Sequence, residues 1–169
     1  MNVIRSEFGR IGDSTFTPVD AELLTTGEVL AVAGTPLDFR APKLIGRDID
    51  AVRYEGALRT DGGARSGYDH NWCLAGEPGR MKLCARVVDK ASGRGMELHT
   101  TEPGVQFYTA WSLSDRIVGK AGVQYCKYAG FTLETQKFPD SPNIGHFPSP
   151  RLDPGENYEH RMLFRFFAN

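Results

Sequence analysis

The sequence predicts an all-β protein, an antiparallel β-sandwich, and three observations carry that prediction. Nineteen glycines and ten prolines make up about a sixth of the 169 residues. They recur along the whole length as GG, EPG, SGRG, FPDSPN, FPSP and DPG. A helical bundle cannot absorb so many breakers, because proline removes an amide donor and glycine costs about 1 kcal/mol in a helix interior. The segments between breakers alternate with period two, which is the pattern of a strand with one face buried. The only helix candidates are short, such as the stretch around Lys43 to Asp50.

Taken in order, GEVLAV reads as a strand before the TPLDFR turn. In MKLCARVV, Met81, Leu83, Ala85 and Val87 share one face, with Lys82, Cys84 and Arg86 on the other. The turn SGRG leads into MELHTT, where Met96 and Leu98 oppose Glu97 and His99, so the pair reads as a β-hairpin. VQFYT places Val105 and Phe107 on one side and Gln106 and Tyr108 on the other. FTLETQ places Phe131 and Leu133 opposite Thr132, Glu134 and Gln136. HRMLFRFF puts Met162, Phe164 and Phe166 on a common face. The polar sides of VQFYT and FTLETQ fit either a solvated surface or a concave groove for a polyhydroxylated ligand. Periodicity does not choose between the two.

No repeat, low-complexity tract or linker divides the chain, so residues 1–169 read as a single domain, long enough to bury its own core. Twenty Lys and Arg against 21 Asp and Glu give a net charge of −1. That is no footprint for nucleic acid or for an anionic membrane surface. No apolar run approaches the roughly 20 residues that span a bilayer. The start, MNVIRSEFGR, has no apolar h-region, so no secretory signal is expected. Cys73, Cys84 and Cys126 are odd in number and lack C-x-x-C spacing. They read as reduced thiols of a cytoplasmic protein.

Four segments together are distinctive: PVDAELLTTGEVLAVAGTPLDFR (18–40), GYDHNWCL (67–74), TTEPGVQFYT (100–109) and GFTLETQKFPDSPN (130–143). The tail LDPGENYEHRMLFRF adds a fifth in the same order. This set resembles the aldose 1-epimerase (galactose mutarotase) family, specifically its C-terminal half, from about residue 17 onward. The resemblance implies part of a galactose-mutarotase-like β-supersandwich and interconversion of the α and β anomers of a free aldohexose such as galactose or glucose. Matched by motif, Glu134 in LETQ falls where the family has its catalytic base. Asp69 in GYDH and Gln106 in GVQF fall on positions that hydrogen-bond sugar hydroxyls.

The chemistry accounts for these residue types. A hemiacetal opens when a base takes the C1 hydroxyl proton while an acid protonates the ring oxygen. Rotation about C1–C2 presents the other carbonyl face, and the ring closes by the reverse transfers. An ordinary Glu is ionised at pH 7 and can serve as the base. Asp69 and Gln106 would fix the sugar's orientation, which matters because proton transfer needs heavy atoms about 3 Å apart. For Trp72, Phe107 and Tyr108, core packing is the simpler role beside stacking on a sugar C–H face. No metal or cofactor is implied.

The sequence departs from the family pattern in one respect. The family's general acid is a histidine in the preceding half, within a motif resembling TNHSYFNL, and no such motif occurs here. The resemblance therefore also admits a truncated, non-catalytic carbohydrate-binding relative. Among the histidines present, His70 reads as structural, His99 as a partner of Glu97 and His160 as a surface residue. His146, in the loop NIGHFPSP, is the one that a loop brings towards a groove. Arg65 and Arg151 read as solvated charges rather than a phosphate clamp, which weighs against sugar-phosphate epimerases. Strand edges and apolar faces left uncovered by half of a sandwich predict self-association.

Overall fold

A computed structural model describes residues 7–12, 14–54, 66–114 and 116–168; Arg65 lies outside them. The described residues form twelve strands. They are β1 (Glu7–Ile11), β2 (Thr15–Thr17), β3 (Leu30–Ala31), β4 (Lys43–Leu44), β5 (Asp69–Cys73) and β6 (Lys82–Asp89). The remainder are β7 (Arg94–Thr100), β8 (Gly104–Tyr108), β9 (Ile117–Val118), β10 (Gln124–Tyr125), β11 (Thr132–Gln136) and β12 (Met162–Ala168). Two five-stranded antiparallel sheets run in the orders β12-β7-β6-β1-β4 and β11-β8-β5-β2-β3, beside a β9–β10 ribbon. The helix candidate near Lys43 to Asp50 is two 3₁₀ turns, Ile45–Arg47 and Ile49–Ala51. Among the described residues, no helix is long and apolar enough to cross a membrane.

One core lies between the sheets. Ile11, Ala85, Val87 and Leu98 come from the first sheet, and Phe16, Trp72, Val105 and Phe107 from the second. Phe39, Tyr68, Trp72 and Phe107 meet with ring centroids between 5.1 and 6.2 Å apart, in stacked, tilted and edge-on pairs. Burying a large apolar side chain contributes about 1.5–3 kcal/mol, so this cluster anchors the second sheet. The Trp72 indole N–H donates to the Leu37 carbonyl at 3.1 Å, which removes the cost of burying it.

The β6–β7 hairpin forms as its alternation predicts, closed by a turn at residues 90–93 in which Gly93 takes a φ of +71°. The face of β6 is corrected, however. A register shift against β7 falls between Leu83 and Ala85. This bulge reverses the alternation at its N-terminal end. Cys84 is buried, whereas Leu83 and Met81 are 40% and 43% exposed; Ala85 and Val87 remain inside. GEVLAV shortens to the two residues of β3, with Val29 and Leu30 exposed and only Val32 fully buried.

The strand β12 sits at one end of the first sheet. Its pairing with β7 sets Phe164 opposite Leu98 and Phe166 opposite Met96, so both rings lie on the sheet's core face. Leu98 is fully buried, yet Phe164 and Phe166 are 43% and 74% exposed. The two rings stack on each other with centroids 6.3 Å apart.

Candidate active site

The second sheet carries the apolar core on one face and a polar array on the other. Strict alternation sends Trp72, Val105, Phe107 and Leu133 inward, which turns their neighbours outward. Registers then align those neighbours in rows. Thr17 pairs with Asn71, Asn71 with Gln106, and Gln106 with Glu134, a continuous polar row across β2, β5, β8 and β11. The next row is Asp69, Tyr108 and Thr132. Asp69, Gln106 and Glu134 thus come from three adjacent strands and face the same cleft.

A loop closes over this face. Residues 18–26 fold back on themselves through the Val19–Thr25 bridge and a hydrogen bond from the Thr26 amide to the Pro18 carbonyl at 3.1 Å. On the far side, the PDSPN segment turns through Ser141, whose amide and hydroxyl both donate to the Phe138 carbonyl. Lys137 anchors that turn to the buried Glu102 carboxylate at 2.8 Å. The result is a cleft of about 230 Å³ lined by Val19, Leu23, Thr25, Asp69, Asn71, Gln106, Glu134 and Pro139, among others. That is below the roughly 300–1,000 Å³ of a drug-sized ligand's pocket, and suits a single small ring.

Its electrostatics are anionic. Gln106 Nε2 donates to Asp69 Oδ1 at 2.9 Å, and Thr132 Oγ1 donates to Glu134 Oε1 at 2.7 Å. Burial holds the Asp69 carboxyl above its ordinary range; the Gln106 hydrogen bond pulls it down, the Glu134 charge pushes it up, and the Trp111 indole pulls it down. Three of the residues that line the cleft carry a buried oxygen with no hydrogen-bond partner among the described residues: Thr25 Oγ1, Asn71 Oδ1 and Gln106 Oε1. Buried polar atoms are paired in the great majority of folded proteins, so three such oxygens on residues of one cleft set it apart.

The aldose 1-epimerase family profile matches residues 3–165. The chain belongs to the aldose 1-epimerase family. It is 43% identical over 151 residues to galactose mutarotase from Bos taurus, and that match covers 89% of this chain and 41% of the bovine protein. It is 30% identical over 155 residues to aldose 1-epimerase from Escherichia coli K12, covering 90% and 42%. The chain therefore spans less than half the length of these relatives. A crystal structure of an aldose epimerase homologue from C. elegans superposes with a TM-score of 0.79 at 24% identity, over 99% of this chain and 47% of that one, and so shares the fold.

Among the described residues, no histidine lines this cleft. His70 points to the opposite face from Asp69, is 7% exposed, and shares a 3.3 Å hydrogen bond with the Tyr54 hydroxyl; burial pushes its pKa down to about 4. His99 faces Glu97 at 3.7 Å in the other sheet. His160, expected on the surface, is instead half-buried and bonded to Thr135 Oγ1 at 2.7 Å. His146 Nε2 donates to the Gly27 carbonyl at 2.9 Å, beside the loop that covers the cleft but outside its lining. Arg151 is solvated and paired with Asp153. Trp72 and Phe107 are fully buried core residues. Sequence reading missed Thr17, Thr25 and Asn71. Asn71 was within reach, because it stands two residues after Asp69 on one strand and so shares its face; Thr25 had no signal, because a loop brings it there.

Proposed function

We propose that this chain binds a free aldohexose in the cleft over β5, β8 and β11, as the sugar-site portion of an aldose 1-epimerase that interconverts α and β anomers. The observation that carries the proposal is the meeting of two carboxylates, Asp69 and Glu134, with three orphaned buried oxygens in one cleft sized for a single ring. Glu134, exposed at the cleft on β11, takes the proton from the C1 hydroxyl and later returns it. Asp69, held by Gln106, accepts from ring hydroxyls and fixes which face of C1 meets Glu134. Residues 1–169 correspond in this reading to the C-terminal portion of the family's fold. The protein is cytoplasmic, in keeping with three free cysteines, and has neither a nucleic-acid nor a membrane partner, in keeping with its net charge of −1. Its macromolecular contact is with itself, through β12.

A second reading has its own support. With no histidine among the cleft-lining residues, the chain binds sugar without turning it over. One experiment separates the two: polarimetry of freshly dissolved α-galactose, with Glu134→Gln in parallel. The catalytic reading expects relaxation faster than buffer alone and a loss of about 10²–10⁴-fold in that acceleration on removing the base. The binding reading expects the buffer rate from a folded chain that still binds galactose.

A further inference from the structure

The motif residues leave two of the orphaned oxygens unexplained. Asn71 is 1% exposed, in the middle of the polar row, between Thr17 and Gln106. Its Nδ2 donates to Thr17 Oγ1 at 3.4 Å, a long contact, and its Oδ1 has no partner among the described residues. Whichever way the amide is turned, Thr17 can match one of its two ends, and the other is left unmatched in a residue that lines the cleft. The backbone makes room for this. A Cβ on Gly104 would come within 2.5 Å of Asn71 Oδ1, so a glycine in the neighbouring strand is what allows the amide to stand where it does. Thr25 lines the same cleft from the covering loop, and its buried hydroxyl has no partner among the described residues.

An orphaned buried polar group costs about 1–3 kcal/mol in the unliganded protein. Two such groups, one on a sheet residue and one on a loop residue of the same cleft, are what a hydroxyl-bearing ligand would repay. We infer that Asn71 and Thr25 are further sugar-binding residues, hydrogen-bonding ring hydroxyls from the sheet and from the loop. The inference rests on the sugar-site reading above and adds to it. Asn71 stands beside Gln106 on the sheet, whereas Thr25 reaches the cleft from the 18–26 loop. These contacts choose among hexoses by the orientation of hydroxyls remote from C1, because a site built to hydrogen-bond a hydroxyl rejects a sugar that does not present one there.

The test is a saturation-transfer NMR titration of the purified chain with D-galactose and with D-glucose. Thr25→Val, which keeps the shape and removes the hydroxyl, and Asn71→Leu, which removes both the unmatched oxygen and the amide that reaches Thr17, run beside the wild type. Each variant is expected to weaken binding of the preferred sugar by about tenfold, as for the loss of one hydrogen bond. For Thr25→Val the melting midpoint should hold or rise, because an apolar group in place of an orphan removes its desolvation cost. A merely structural Asn71 would leave the affinity of the folded Asn71→Leu chain unchanged. If the wild type binds galactose and neither variant alters the affinity, this inference falls while the sugar-site reading stands. If the wild type binds neither sugar, both fall. Should Asn71→Leu fail to fold, Thr25→Val, on a surface loop, decides the matter alone.

Discussion

Asp69 is half-buried, and its carboxyl sets the proposed site against the stability of the fold. Its carboxyl titrates above the ordinary value of about 3.9 because burial, reinforced by Glu134, outweighs the hydrogen bond from Gln106. The folded state therefore holds the Asp69 proton more tightly than the unfolded chain does. Its contribution to stability is fully present below the unfolded value and is lost as pH rises through the folded one. Asp69→Asn keeps the shape and the acceptor for Gln106 but never ionises. Thermal melts at pH 7 should therefore place Asp69→Asn above the wild type, with the gap closing as pH falls below the ordinary carboxylate range. Galactose affinity should fall in the same variant. A melting gap that persists in acid would show that charge is not the cause.

At the scale of elements, the cleft depends on β8 running close beneath its neighbours. Gly104 occupies the row between Cys73 and Gln136, and a methyl there would meet Asn71 Oδ1 at 2.5 Å and the Phe138 ring at 3.0 Å. Gly104→Ala should cost about 1–3 kcal/mol in urea denaturation, the usual penalty for overpacking. The same substitution should cost less in an Asn71→Ala background, since the closest clash is gone. Equal costs in both backgrounds would place the strain against Phe138 instead. The bulge in β6 belongs to this scale too. Alternation predicted Leu83 on the same side as Ala85 and Val87, and one extra residue turned Cys84 inward. Periodicity in a single strand has no means of registering a bulge, because a bulge is a property of the pairing.

For the whole molecule, the sandwich is uneven. The row Ala85, Leu98, Phe164 begins in the buried core and ends in the open, as does Val87, Met96, Phe166. Leu163 is also exposed, on the other face of β12. An apolar strand at a sheet edge, with its face uncovered, is a template for another chain. Sedimentation velocity should show concentration-dependent association of the wild type, and Phe166→Glu should shift the distribution towards monomer without lowering the melting midpoint. A wild type that stays monomeric across the concentration range would remove self-association from the account.

The sequence by itself determined the fold class, through breakers spaced too closely for helices and period-two alternation. It also placed Gln106 and Glu134 on polar strand faces, because side-chain direction along a strand follows from position alone. Its motifs carried the family, with Asp69, Gln106 and Glu134 as the candidate site. Tertiary structure decided what lies beside what. The register of β2, β5, β8 and β11 joined four separate polar residues into one row, and the 18–26 loop brought Thr25 over it. Registers and loop closure are long-range pairings between segments far apart in the chain, and local patterning holds no record of them.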